Sequence, residues 1–304
     1  MKSRVQIFEV APRDGLQNEP RFLPTPEKIA LIDALSLTGV AKIEATAFVS
    51  PRAVPNMRDS AEVFGAIKRS PGVIYSALAP NLLGAADAIA AGAQEVNVVV
   101  SASETHNKAN VRLTCEQSLA AVADIVTTCS RSNTPVNLSI ATTFGCPFEG
   151  RVSPERVLDF VRQSVRAGVA GITLADTIGV ANPAQVEDLV ADVLRKLDGV
   201  ALTLHFHNTR GMGLANAYAA YRAGARRFDA SLGGIGGCPF APGATGNVST
   251  EDMVHMFEEM GVETGVDLDS LLAIAKTLPP LLGHGTFGYV VKAGRLQPLG
   301  QTLA

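Results

Sequence analysis

Short apolar runs rich in Val, Ile and Ala alternate with longer segments of helical apolar spacing along most of the chain. An apolar run of four to eight residues bounded by turn residues marks a buried strand, and apolar residues recurring every three or four positions mark an amphipathic helix. On these rules strands are predicted over residues 5–11, 41–46, 73–78, 95–100, 136–141, 171–175, 202–207 and 227–232. Helices are predicted over 26–37, 60–68, 82–91, 114–129, 154–167, 183–197 and 213–223, and the chain is helical again from about 250. Residues 12–19, 101–108 and 145–150 read as polar loops, and 233–243 as a glycine-rich loop.

Eight alternations of buried strand and amphipathic helix predict an α/β fold, a (β/α)8 TIM barrel with a C-terminal helical extension. A doubly wound open sheet is the alternative, because a count of strands does not establish closure. One catalytic domain is expected over 1–304, with the barrel at about 5–250 and the extension at about 251–304.

Composition narrows the function. The formal net charge of −3 gives no electrostatic footprint for nucleic acid, and the absence of Trp argues against a base-stacking surface. No apolar run is long enough to span a bilayer. The opening residues lead straight into a strand with no apolar leader stretch, and the four Cys lack CxxC spacing, so a reducing cytoplasm is the expected setting.

The candidate chemistry begins at the seventh strand. His205 and His207 stand at i and i+2, so both side chains project to one face of the strand, where two imidazoles can share one divalent cation or simply hydrogen-bond. The chain has five His in all and places two of them here. Other polar residues fall where predicted strands meet loops, the edge that carries catalysis in such barrels: Asp14 after the first strand, Glu44 in the second, Asp176 ending the sixth, Cys238 and Asn247 beyond the eighth. Each also has a structural reading. Asp14 and Asn247 can be turn residues, Glu44 a partner for a core arginine, Asp176 a helix cap and Cys238 a small buried hydrophobe. Their joint placement on one face is what those readings do not explain. A carboxylate, two imidazoles and an amide oxygen suit Mg²⁺ or Mn²⁺ better than Zn²⁺.

The sequence Glu9-Val10-Ala11-Pro12-Arg13-Asp14-Gly15-Leu16-Gln17-Asn18-Glu19 resembles the opening motif of the 3-hydroxy-3-methylglutaryl-CoA lyases, metal-dependent TIM barrels related to the isopropylmalate synthases. Further stretches match later motifs in order: Phe48-Val49-Ser50-Pro51, Gly145-Cys146-Pro147-Phe148-Glu149-Gly150, Asp176-Thr177-Ile178-Gly179, His205-Phe206-His207-Asn208, Gly236-Gly237-Cys238-Pro239 and Gly246-Asn247-Val248. The resemblance spans about 5–266. It implies retro-Claisen cleavage of a 3-hydroxy-3-methylglutaryl thioester to acetyl-CoA and acetoacetate, in leucine degradation. It further implies cation ligation by Asp14, His205, His207 and Asn247, and enolate stabilisation by Arg13. Proton transfer would fall to Cys238 on a closing loop. Glu44 would support the hydroxyl, Arg13 or bound water, Asp176 and Glu251 would relay protons, and Gln17 would line the pocket. The partner would be a small acyl-CoA, and a homo-oligomer, dimer or higher, is expected.

Several positions depart from the family pattern near the expected pocket. Arg210 stands where Tyr is usual, Asn137 and Ser139 stand where Arg and Tyr are expected, and Ala47 replaces Ser. A positive charge and hydroxyls are thereby lost or moved, so Asn137, Ser139 and Arg210 are candidate determinants of which acyl group is bound. A lyase for a different 3-hydroxy-acyl-CoA, a Claisen-type synthase running in reverse, and a non-catalytic CoA-ester-binding paralogue are the alternatives. The presence of Arg13, Glu44 and Cys238 favours a catalyst over the last.

Overall fold

The computed structural model describes residues 3–237 and 246–296, and its sheet is a closed barrel. The parallel strands follow one another in chain order: β1 (Gln6–Glu9), β2 (Lys42–Ala47), β3 (Ile74–Leu78), β4 (Glu95–Ser101), β5 (Val136–Ala141), β6 (Gly171–Asp176), β7 (Ala201–Phe206) and β8 (Arg227–Ala230). β8 pairs with β1 from Gln6↔Arg227 to Glu9↔Ala230, which removes the sheet edges and rules out the open-sheet alternative. The crossover helices are α1 (Thr25–Leu35), α2 (Ser60–Ala66), α3 (Leu82–Ala90), α4 (Glu104–Val111), α5 (Cys115–Ser130), α6 (Pro154–Arg166), α7 (Pro183–Leu194) and α8 (Gly213–Ala223). Beyond β8 come α9 (Thr250–Glu259), α10 (Leu268–Ala275), α11 (Leu278–Leu282) and α12 (Val290–Ala293), with α9 against β1 and β8 and α10 against α1. Among the described residues no helix is long and apolar enough to cross a membrane.

The strand alternation sorts two sets of side chains. Ile43, Val96, Val98, Leu138, Ile140, Ile172, Leu174, Leu204 and Phe206 are buried in the layer between sheet and helices. Each such side chain contributes about 1.5–3 kcal/mol of burial free energy. The intervening positions are polar and face the barrel interior, among them Lys42, Glu44, Asn97, Asn137, Ser139 and Thr173, and they satisfy one another. Lys42 Nζ, for example, bonds Glu95 Oε1 at 2.7 Å. A polar barrel interior is sustainable only because its groups are paired.

Two local features differ from the sequence reading. Residues Ala11–Gly15, expected as a strand end and loop, wind into a single π-type turn in which the Val10 carbonyl accepts from Arg13, Asp14 and Gly15. The polar segment after β4 contains α4. That helix has little apolar period; its hold comes from side-chain bonds. Ser103 Oγ accepts from His106 N at 3.2 Å, and buried Asn107 bonds Ser101 N, Leu113 O and Ser118 Oγ. A periodicity rule misses such a helix because tertiary hydrogen bonds stand in for an apolar face.

Candidate active site

The π-type turn at the exit of β1 sets the first two residues. Asp14 N bonds Val10 O at 2.7 Å, and the wider turn brings neighbouring Arg13 and Asp14 side by side at the barrel mouth. Arg13 Nη1 donates to Asp14 Oδ1 at 2.7 Å, and Arg13 Nε donates to Glu44 of β2. A register irregularity between Glu44 and Thr46 in β2 accompanies the inward placement of the Glu44 carboxylate.

β7 delivers the histidines. Their Nε2 atoms lie 3.1 Å apart, and one ligand atom from each of Asp14, His205 and His207 falls within 4.8 Å of the other two. Asn247 reaches the same point because residues 246–248 run along the end of β7: Asn208 N bonds Gly246 O at 3.0 Å and Val248 N bonds Phe206 O at 3.1 Å. Gly246 sits at φ +97°, and a Cβ there would lie 2.2 Å from the Gly234 carbonyl, so this close pass of two loops admits only glycine. Asn247 Nδ2 donates to Asp14 Oδ2 at 2.7 Å and to Ile235 O at 3.0 Å. The amide is thereby oriented, and its buried Oδ1 has no partner, as is true of His207 Nδ1. Two neighbouring imidazoles, a carboxylate and an unsatisfied amide oxygen form a donor set that fits a divalent cation.

The electrostatics agree. Burial pushes Asp14 up, but Arg13, His205 and His207 more than offset it and hold the carboxyl at about 2. Burial and the adjacent His205 push His207 down to about 4, so it is neutral and competent as a ligand. His205 moves the other way: burial lowers it, but Asp229 and Asp14 raise it further. Asp229 was not anticipated from the sequence. Its Oδ2 lies 3.6 Å from His205 Nδ1, and the β7–β8 register sets the two residues side by side. A carboxylate behind Nδ1 leaves Nε2 as the ligating atom. The available signal was an acidic residue alternating with Phe228 and Ala230 in the last strand.

The remaining candidates spread around this centre. Asp176 spends both oxygens on the loop after β6, accepting from Val180 N at 2.9 Å and Ala181 N at 3.1 Å, and burial pushes it up to about 6. Gln17 is half-buried in the short helical stretch that continues the π-type turn. Arg210 is exposed, and its Nη1 donates to the carbonyls of Ile178 and Gly179 at 2.9 and 3.1 Å, at the rim of the barrel and apart from the cation ligands. Asn137 and Ser139 are buried in the barrel interior, bonded to Asn97. Cys238 lies outside the described residues.

Two buried carboxylates lie behind Leu232 and Gly233, just past the end of β8. Glu9 Oε1 accepts from Ala11 N and Leu232 N, and its Oε2 from Thr250 Oγ1; Glu251 Oε2 accepts from Gly233 N at 3.0 Å. Burial pushes each up to about 7, with mutual repulsion adding to the rise in Glu9. A carboxyl that is raised on folding binds a proton the unfolded chain releases. Its contribution is therefore full below the ordinary value of 4.5 and is lost as pH rises through about 7. Stability to urea should accordingly fall between about pH 5 and pH 8. Glu9→Gln keeps both backbone bonds at its oxygen, turns its amide toward Thr250, and should flatten that fall by roughly 2 kcal/mol. A variant as pH-dependent as the wild type would contradict this.

A closed barrel with a cation-ligand cluster, an adjoining arginine and carboxylates at the C-terminal ends of its strands defines a class: a (β/α)8 enzyme built for metal-assisted chemistry on a small substrate. The HMGL-like family model matches residues 4–278. Hydroxymethylglutaryl-CoA lyase of Gallus gallus mitochondria is 45% identical over 88% of this chain and 90% of its own length. The (R)-citramalyl-CoA lyase of Chloroflexus aurantiacus is 43% identical over 97% of this chain and 96% of its own. An HMG-CoA lyase from Acinetobacter baumannii, solved with coenzyme A and 3-methylmalate, superposes with a TM-score of 0.93 at 54% identity, covering 97% of this chain and 98% of that one. The chain belongs to the HMGL-like family and to its carbon–carbon lyases.

Proposed function

We propose that this protein is a metal-dependent acyl-CoA lyase that breaks the C2–C3 bond of a 3-hydroxy-3-methylglutaryl-CoA-like thioester, releasing acetyl-CoA and a keto acid. The observation that carries this reading is the convergence of Arg13, Asp14, His205, His207 and Asn247 at one barrel mouth, with Arg13 gripped by two carboxylates. Asp14, His205, His207 and Asn247 hold the cation, Mg²⁺ or Mn²⁺, which when bound lowers the pKa of the substrate hydroxyl and polarises its oxygens.

The chain's own residues do the rest. Arg13 has Nε on Glu44 and Nη1 on Asp14, and Nη2 lies outside both pairs to meet the thioester oxygen as enolate charge builds there. Glu44 fixes Arg13 and stands beside the substrate hydroxyl. Cys238 supplies the proton that converts the enolate of acetyl-CoA to its methyl group. Asp176 and Glu251, each buried and raised, relay protons at the loop bases. Gln17 and Arg210 contact the acyl chain from the rim. Barrel and extension act as one catalytic unit, in the cytoplasm and as a homo-oligomer, with leucine degradation as the matching pathway for the glutaryl substrate.

A second substrate reading has a specific observation behind it. The β5 side chains that face the barrel interior are neutral and engaged with Asn97 of β4 and Thr173 of β6, so the acyl carboxylate meets no cation from that strand. This favours a thioester whose carboxylate sits elsewhere, such as citramalyl-CoA. The metal-loaded protein incubated with a panel of 3-hydroxy-acyl-CoA thioesters decides both points. Acetyl-CoA release from at least one branched member is expected, and the ratio of kcat/KM values picks the substrate. Release from none of them, by protein with verified metal content, would overturn the reading.

A further inference from the structure

Below the cation-ligand cluster, a connected row of polar side chains crosses the barrel interior. Arg13 Nε donates to Glu44 of β2. Asn97 of β4 donates through Nδ2 to Glu44 Oε1 at 2.7 Å. Asn97 Oδ1 in turn accepts from Asn137 Nδ2 at 3.0 Å and from Ser139 Oγ at 2.9 Å, both on β5. Asn137 Nδ2 also bonds Thr173 Oγ1 of β6 at 2.9 Å. The row is built into the sheet: Asn97 is the register partner of Asn137, and Asn137 that of Gly171. A Cβ at Gly171 would lie 2.6 Å from Asn137 Oδ1, so the missing side chain is what makes room for the amide.

The polarity of the row has one direction. A primary amide has distinct ends, and the Oδ1 of Asn97 is already occupied by two donors. Its Nδ2 must therefore face Glu44. Flipping it would break three bonds and set an amide oxygen against a buried carboxylate. With Oε1 held in this way, the other oxygen of Glu44 is turned to Arg13. The supporting donors are neutral, so none competes with Arg13 for the charge of Glu44; a lysine or arginine at Asn97 or Asn137 would.

We propose that Asn97 is a positioning residue of this site: it fixes the Glu44 carboxylate and, through it, the Arg13 guanidinium, with Asn137 and Ser139 orienting Asn97 instead of touching the acyl chain. The inference rests on the lyase reading for its kinetic consequences. Asn97→Leu keeps the side-chain volume and removes all three bonds. It should lower kcat by about 10- to 100-fold, the usual result of misplacing a catalytic group by a fraction of an ångström to an ångström, with KM and Mn²⁺ affinity within about twofold. Ser139→Ala removes one of the two donors to Oδ1 and should lower kcat by about threefold or more. A packing role would instead leave kcat of Asn97→Leu near that of the wild type.

A second readout needs no turnover. In the wild type the Arg13 Nε–H proton should resonate downfield and exchange slowly; in Asn97→Leu it should move upfield and exchange faster. A wild-type protein without lyase activity would count against the proposed function and leave this measurement standing. An unchanged Arg13 signal, or a kcat within about twofold of wild type in Asn97→Leu, overturns the assignment of Asn97. Should that variant fail to fold, an unchanged kcat and Arg13 signal in Ser139→Ala overturn it as well.

Discussion

His207→Ala should reduce kcat/KM by about 1,000-fold or more and abolish high-affinity Mn²⁺ binding in the same protein. His207 is the ligand best prepared for a cation. It is buried, held neutral by burial and by His205, and its Nε2 lies 3.1 Å from that of His205. Asn247 is fixed beside it by the bridge between the two backbones. Alanine removes an imidazole from a site closed on its other sides by Asp14, His205 and Asn247, and no other His, Cys, Asp or Glu among the described residues groups with them. Calorimetric titration of the chelator-stripped variant with Mn²⁺, beside a melting curve to verify folding, checks the claim. Wild-type affinity in a folded variant would remove His207 from the ligand set, and full wild-type activity after verified metal removal would remove the cation itself.

The second large effect is expected at Arg13. Arg13→Gln should lower kcat by about 1,000-fold, the scale on which loss of one preorganised donor to a developing oxyanion is felt. Mn²⁺ affinity should change far less, because Asp14 keeps its contact with Asn247. The change also leaves Glu44 buried with Asn97 as its remaining hydrogen-bond partner, so a lower melting temperature is expected too. Arg13→Lys should recover little of the lost rate. Nε and Nη1 of the guanidinium serve two carboxylates at once, and a lysine ammonium has no rigid fork to reproduce that. Steady-state kinetics on both variants decide it: a lysine variant within about tenfold of wild type would mean that charge alone, without the fork, is what the site uses.

The features legible in the sequence were those with a period or a motif. The strand–helix alternation carried the barrel, since both sheet faces demand regular side-chain spacing. His205 and His207 were legible because a strand puts i and i+2 on one face. Closure was not, because it depends on the register between Glu9 and Ala230, over 200 residues apart and unmarked by either residue type. The π-type turn was missed because Ala11–Gly15 has the composition of an ordinary loop, while its geometry comes from a single carbonyl, Val10 O, serving three donors. α4 was missed because side-chain bonds at Asn107 do the work usually done by an apolar face. Asp229 and Asn97 are polar residues that stand between apolar neighbours in their strands. Only the neighbouring strand reveals what they face: His205 for the one, Asn137 and Ser139 for the other.

In the proposed reaction a carbon–carbon bond breaks and leaves a thioester enolate that the protein protonates. The direct measurement is a reaction in D2O with Mn²⁺-loaded protein and branched 3-hydroxy-acyl-CoA thioesters, the glutaryl and citramalyl compounds both included. Acetyl-CoA is then isolated for mass analysis. Acetyl-CoA carrying one solvent deuterium in its methyl group is expected, formed in equal amount with a keto acid that gains none by the cleavage step. Free CoA accompanied by the intact 3-hydroxy acid would mean thioester hydrolysis, with the C2–C3 bond untouched, and would contradict it.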